Sequence, residues 1–248
     1  MTALQENLER LEDAISAACR AAGRTRGEVE LMAVSKTFPA EAVAEAAALG
    51  LTLFGENRVQ EFGTKVSLAA EHGTWAVREQ LRFHLIGHLQ SNKAARAAEL
   101  FDGIDSLDSV RLAERLDEAA GRNGKRLPVL IEVKLSPEAA KTGLAPESVE
   151  AAQLLERLPD FLNLNARGLM TIAPWGAPED VTRACFRSLR MGRDRWASAH
   201  PNLHLDVLSM GMSGDFQLAI AEGSTRIRIG TALFGKRPPL PSPASELD

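Results

Sequence analysis

A lysine at the end of a β-rich run is the first group in this chain with chemistry in reach. Lys36 directly follows Ala33-Val34-Ser35. In parallel α/β architectures functional groups gather where strands end and loops begin. Desolvation there favours the neutral amine, the form that attacks a carbonyl to make a Schiff base. The plain alternative is an ordinary exposed lysine at a strand end. A second group is Ser209-Met210-Gly211-Met212-Ser213-Gly214-Asp215. Its glycines allow close backbone approach, Ser209 and Ser213 offer hydroxyls, and the following helix presents free N–H groups, which together could cradle a phosphate. A tight turn capped by Ser213 or Asp215 would look the same. A third is Arg226-Ile227-Arg228-Ile229-Gly230-Thr231, where a period of two puts both arginines on one strand face. Solvent-facing charge is the alternative there. Barrels often bind phosphate with the loops after strands seven and eight, so Ser213, Gly230 and Thr231 are candidates for one site.

Other patterns carry less. His84 and His88 straddle a strand end and Gly87, so they share no helix face, and no His-Glu-x-x-His occurs; no metal site is expected. Arg183, Arg187 and Arg190, with Asp194 nearby, read as a solvated helix face. Ser209 and Ser213 lack an evident His and Asp set, which argues against a hydrolytic triad.

Short β-rich runs alternate with helical runs along the chain. Residues 2–22 form a first helix ended by Gly23, with Leu4, Leu8, Leu11 and Ile15 on one face. Strands follow at 29–35, 51–54, 83–86, 103–107, 129–133, 166–171, 204–208 and 225–229. Helices are expected at 39–50, 59–70, 92–100, 109–120, 146–158, 179–199 and 215–221. About eight strand–helix units predict a single (β/α)8 barrel, with the extra first helix capping or flanking it. Alternation alone leaves a doubly wound open sheet possible. The expected domain is 1–235, and the Pro-rich stretch 236–248 reads as a disordered tail.

At 248 residues, 45% hydrophobic and 25% charged, the chain can bury one large core. A net charge of -4 argues against a nucleic-acid partner, since a phosphate backbone selects clustered positive charge. The N-terminus lacks a basic and then apolar secretory pattern, and no apolar run approaches the roughly 20 residues of a membrane span. Two cysteines, Cys19 and Cys185, outside any Cys-x-x-Cys pair, read as reduced thiols in a cytoplasmic protein.

Several motifs together resemble the pyridoxal phosphate homeostasis proteins, standalone relatives of the alanine racemase N-terminal barrel. They are Val34-Ser35-Lys36, Phe54-Gly55-Glu56-Asn57-Arg58, Phe83-His84-Leu85-Ile86-Gly87-His88-Leu89-Gln90-Ser91-Asn92-Lys93, Lys141-Thr142-Gly143, Gly168-Leu169-Met170-Thr171, Ser209-Met210-Gly211-Met212-Ser213-Gly214-Asp215 and Arg228-Ile229-Gly230-Thr231-Ala232-Leu233-Phe234-Gly235. The likeness runs in order over residues 29–235 and departs from the family pattern at Lys134-Leu135-Ser136. It implies a barrel of the alanine racemase N-terminal type. It also implies pyridoxal 5'-phosphate (PLP) held covalently on Lys36, with Ser213, Gly230 and Thr231 at the phosphate. Arg228 matches the arginine facing the pyridine nitrogen in alanine racemase, where a permanent cation keeps the ring a poor electron sink. Asn57, His84 and Met170 would line the pocket.

Two features point to a PLP carrier or buffer with no strong catalysis of its own. The chain has Tyr 0, whereas alanine racemase uses a tyrosine as its second base, and racemisation needs a base on each face of the substrate carbon. The sequence also stops just after the barrel, without the racemase β-domain, and a monomer is expected. The resemblance implies transient hand-over to PLP-requiring apo-enzymes, for which Lys141 is a candidate second aldehyde acceptor. The alternatives are a racemase-like or decarboxylating PLP enzyme, an aldolase-type barrel using Lys36 without PLP, and an interaction module.

Overall fold

The computed structural model describes residues 1–75, 78–135 and 142–236. Lys141, Ser136 and all of the expected tail except Lys236 therefore lie outside the described residues. The strands are β1 (Glu30–Val34), β2 (Leu53–Glu56), β3 (Arg82–Leu85), β4 (Gly103–Leu107), β5 (Leu127–Glu132), β6 (Leu164–Met170), β7 (Val207–Ser209) and β8 (Arg226–Ile229). All pair in parallel and in chain order, and β8 pairs back onto β1, with Met32 opposite Arg228. The expected (β/α)8 barrel is what forms, and closure excludes the open doubly wound sheet.

The helices are α1 (Ala3–Ala21), α2 (Ala40–Ala48), α3 (Val59–Glu71), α4 (Ala94–Leu100), α5 (Val110–Arg122), α6 (Val149–Arg157), α7 (Glu179–Ala199), α8 (Phe216–Ala221) and α9 (Thr231–Phe234). Several starts are set by side chains that take up a free helical N–H. Thr2 accepts from the Gln5 amide at 3.3 Å, Ser109 from Leu112 at 3.3 Å and Ser148 from Ala151 at 3.1 Å. The extra helix α1 buries Leu4, Leu11, Ile15 and Cys19 against α8 and α9, so it flanks the barrel.

Because side chains alternate across a strand, each strand contributes to two different interiors. Leu31, Ala33, Phe54, Phe83, Ile104, Ile131, Leu208 and Ile229 face outward and join the main core beneath the helices. There Phe62 of α3 packs its ring 4.7 Å from that of Phe83. Met32, Val34, Leu53 and Ile86 form a separate cluster inside the barrel. A Cβ on Gly55 would lie 2.8 Å from Met32 Sδ, so glycine is what lets that interior close.

The rest of the barrel interior is polar. Arg226 and Arg228 are only 7% and 4% exposed, which rules out the solvent-facing reading of this pair. Arg226 Nε donates to Glu30 Oε2 at 2.9 Å and its NH1 to Asp105 Oδ2 at 3.2 Å. The other Asp105 oxygen meets His84 Nδ1 at 2.7 Å. This ionic layer floors the barrel above a cavity of about 300 Å³ at the N-terminal ends of the strands, lined among others by Arg82, His84, Arg167 and Arg226. Burial alone would raise the Asp105 carboxyl, but His84 and Arg226 outweigh it and hold it below the usual carboxylate range.

Removing one partner of a buried ion pair leaves an uncompensated charge and costs about 3–5 kcal/mol. Asp105→Asn should lower the unfolding free energy at neutral pH by that order, measured by urea denaturation. A depressed folded pKa contributes stability that is present above the unfolded value and lost as pH falls through the folded one. The gap between the two proteins should accordingly narrow on acidification; a gap independent of pH would show that Asp105 is not held as an anion.

Candidate active site at the C-terminal mouth

The C-terminal ends of β1, β7 and β8 meet at one mouth because the sheet closes. Lys36 stands two residues beyond β1 and is half-buried. Its loop is unusual. Thr37 has φ 68, and among the described residues it is the one non-glycine with positive φ. A β-branched residue avoids this left-handed region, and holding it there costs on the order of 1–3 kcal/mol. The loop is held from behind. Lys65 Nζ donates to the Ser35 carbonyl at 2.8 Å, and the Thr37 N–H donates to Glu61 Oε1 at 2.6 Å. Ser35 Oγ donates to Glu56 Oε1 at 2.8 Å, and Lys65 donates to the same oxygen. Burial pushes the Glu56 carboxyl up, against the opposing pull of Lys65 and Ser35.

Across the mouth, the loops after β7 and β8 are joined. Ala232 donates its N–H to Ser213 Oγ at 3.2 Å, and Arg228 donates its N–H to the Gly211 carbonyl at 2.9 Å. A Cβ on Gly211, whose φ is 96, would come within 2.6 Å of Ala219 Cβ, so only glycine makes this turn. Among the described residues the N–H groups of Ser213, Gly214 and Thr231 reach no carbonyl. With the Ser213 hydroxyl, they form a set of donors suited to an anion such as a phosphate. Gly230 brings this edge against β1: a Cβ there would sit 3.4 Å from the Val34 carbonyl.

Arg228 lies inside the barrel. Its NH1 donates to Ser209 Oγ and its NH2 to the Thr171 carbonyl, both at 2.8 Å. Burial pulls its pKa down, but Asp105, Asp215 and Glu132 oppose that, and a guanidinium remains protonated throughout the usual range. Glu132, at the end of β5, accepts from the Thr142 hydroxyl at 2.9 Å, while its buried Oε2 meets no partner among the described residues. Burial pushes this carboxyl upward too, against the Thr142 hydrogen bond.

The structure thus brings Ser213, Gly230 and Thr231 together, with Arg228 behind them and Lys36 on the adjoining strand end. Met170 is fully buried at the end of β6, level with Glu132 and Ser209. Asn57 sits just after β2, its carbonyl packed so close to Gly87 that a Cβ there would lie 2.3 Å away. Two placements differ from the sequence reading. Ser209 is the buried last residue of β7, not part of the turn, and its hydroxyl serves Arg228. His84 belongs to the ionic floor with Asp105, bordering the cavity at the opposite end of the barrel. Sequence reasoning missed Thr171, Glu132, Glu61 and Lys65. For Glu61 and Lys65 the one available signal was their spacing on a helix face, which any surface helix shows.

A closed parallel barrel with a lysine after its first strand and clustered N–H donors after its last two matches one class: a barrel of the alanine racemase N-terminal type. The pattern of the alanine racemase N-terminal domain family matches residues 3–238. The pyridoxal phosphate homeostasis protein of Vibrio cholerae is 44% identical over 239 residues, 96% of this chain and 98% of that protein. PipY of Synechococcus elongatus PCC7942, solved with PLP bound, is 43% identical, with 89% of this chain and 100% of that one covered and a TM-score of 0.75. Alanine racemase of Clostridium difficile 630, at 15% identity, covers 97% of this chain and 57% of the racemase with a TM-score of 0.67, a likeness of fold. The chain therefore belongs to the alanine racemase N-terminal domain family, and within it to the pyridoxal phosphate homeostasis proteins.

Hydrogen bonds to charged groups contribute about 1.5–3 kcal/mol. Ser209→Ala, which strips a buried guanidinium of one acceptor, should lower the unfolding free energy by that order in urea denaturation. A loss below about 0.5 kcal/mol would mean that Arg228 is held by other contacts.

Proposed function

We propose that this protein binds pyridoxal 5'-phosphate reversibly and buffers it, with the cofactor bonded covalently to Lys36. When bound, PLP supplies an aldehyde carbon that a lysine amine holds as a C=N bond with loss of one water, a bond that water reverses. The observation that carries the reading is that closure of β8 onto β1 puts a lysine amine and an anion cradle at the same mouth. The residues present fit the group: N–H donors at Ser213, Gly214 and Thr231 that reach no carbonyl among the described residues suit its phosphate, and the buried Arg228 suits its ring nitrogen. The names of the close relatives and the ligand in PipY support the same reading.

In this reading Ser213, Gly230 and Thr231 grip the phosphate and so bring the aldehyde to Lys36. Ser209 and the Thr171 carbonyl aim Arg228, whose permanent charge keeps the ring nitrogen unprotonated and discourages carbanion chemistry. Asn57 and Met170 line the pocket, and His84 acts indirectly, through Asp105. A chain with Tyr 0 has no tyrosine base for the second face of an amino acid, in keeping with a carrier that lacks strong catalysis. We further propose that it acts in the cytoplasm as a monomer and passes PLP transiently to apo-enzymes. Among the described residues no helix is long and apolar enough to cross a membrane.

Adding PLP to the purified protein should produce the yellow absorbance of lysine-bound cofactor. Borohydride should fix a pyridoxyl group on Lys36 by mass spectrometry, and Lys36→Ala should do neither. A colourless wild type, or an adduct only on other lysines, would overturn the reading. Ser213→Ala, which removes the one side-chain hydroxyl of the donor set, should weaken PLP by roughly tenfold while leaving unphosphorylated pyridoxal nearly unaffected, since a lost donor to a charged group matters at that scale.

A further inference from the structure

The Lys36 amine can be no better placed than its own Cα, and two peptide planes meet at that atom. One plane contains the Ser35 carbonyl, which accepts from Lys65 Nζ at 2.8 Å. The other contains the Thr37 N–H, which donates to Glu61 Oε1 at 2.6 Å. Glu61 and Lys65 lie one helical turn apart on α3, so a single helix face holds both planes. Lys65 is only 7% exposed and Glu56 is fully buried. Such a buried ion pair stabilises a fold little better than apolar side chains of similar size, but here it fixes Lys65 between the Glu56 carboxyl and the Ser35 carbonyl. The loop needs that constraint, because Thr37 at φ 68 would relax to an ordinary conformation if released and would turn the lysine with it.

We propose that Glu61 and Lys65 are positioning residues for the Lys36 amine: together they lock the two peptide planes that set the direction of its side chain. The inference rests on Lys36 being the lysine that captures PLP. Bond formation requires the amine to approach the aldehyde carbon in one orientation, and prior ordering of the loop removes that cost from the binding step. The clamp therefore acts on capture of the aldehyde and leaves the phosphate cradle alone.

The test compares wild type, Glu61→Ala, Glu61→Gln and Lys65→Met, using PLP and its alcohol counterpart pyridoxine 5'-phosphate, which has a phosphate but no aldehyde. Glu61→Ala should lower both the rate of colour formation and the affinity for PLP roughly tenfold, as expected for loss of one charge-assisted hydrogen bond. Affinity for pyridoxine 5'-phosphate should stay within twofold. Glu61→Gln, whose side-chain oxygen still accepts, should behave like wild type. Amide exchange at residues 35–38 of the cofactor-free protein should speed up at least tenfold in Glu61→Ala and Lys65→Met. Wild-type colour kinetics in Glu61→Ala, or equal losses toward both ligands, would overturn the proposal. If Lys65→Met fails to fold, the half-buried Glu61 carries the test. A wild type that stays colourless would refute the Lys36 reading instead, and the exchange measurement would still judge the clamp: unchanged exchange overturns it.

Discussion

The pairing of β1 with β8 is the constraint on which the rest of the molecule depends. It brings Glu30 against Arg226, residues 196 positions apart, and by the same register sets the end of β1 beside the end of β8. Without closure, Lys36 and Gly230 would occupy opposite edges of an open sheet, and no site would exist. Closure also removes both sheet edges, so every strand N–H and C=O can find a ladder partner. Long-range pairing of this kind comes at the cost of closing a very long loop. The outer core meets that cost, with apolar faces of the strands buried beneath helices.

The inside of the barrel follows a different logic. Its two layers separate by chemistry: an ionic floor of Glu30, Arg226, Asp105 and His84, and above it the small apolar cluster with Arg228. Charge buried this deeply is tolerated only when it is paired and hydrogen-bonded. Asp105 is the hinge of the arrangement, since it accepts from His84 and Arg226 directly and draws on Arg228 through space. Arg228 takes its direction from Ser209 and the Thr171 carbonyl, with the charge of Asp105 acting on it through space.

The two halves of the mouth are stiffened by different means. On the β7–β8 side, backbone does the work: the Arg228 N–H donates to the Gly211 carbonyl, and glycine at 211 leaves room for Phe216 and Ala219 of α8. On the β1 side, side chains of α3 hold a loop that would not keep its shape alone.

Much of this was legible in the chain before folding. The alternation of strand and helix and the position of Lys36 after the first strand follow from local patterns of period two and period three to four, and the grouping of Ser213, Gly230 and Thr231 was expected from the barrel architecture and the resemblance. The meaning of the arginines did not. A strand with Arg226 and Arg228 on one face looks equally like a solvated edge or a barrel interior, and only closure makes that face a buried one. The resemblance implies that His84 lines the pocket, yet its height in the barrel depends on the register with its neighbours and on Asp105, 21 residues away. Glu56, Glu61 and Lys65 read as ordinary helix and strand charge. By itself the sequence determined which groups could do chemistry and on which elements they ride, since those depend on residue type and local period. Tertiary structure alone decided which charges are buried, which face one another and which peptide planes are held, because burial and pairing are properties of distant segments brought together.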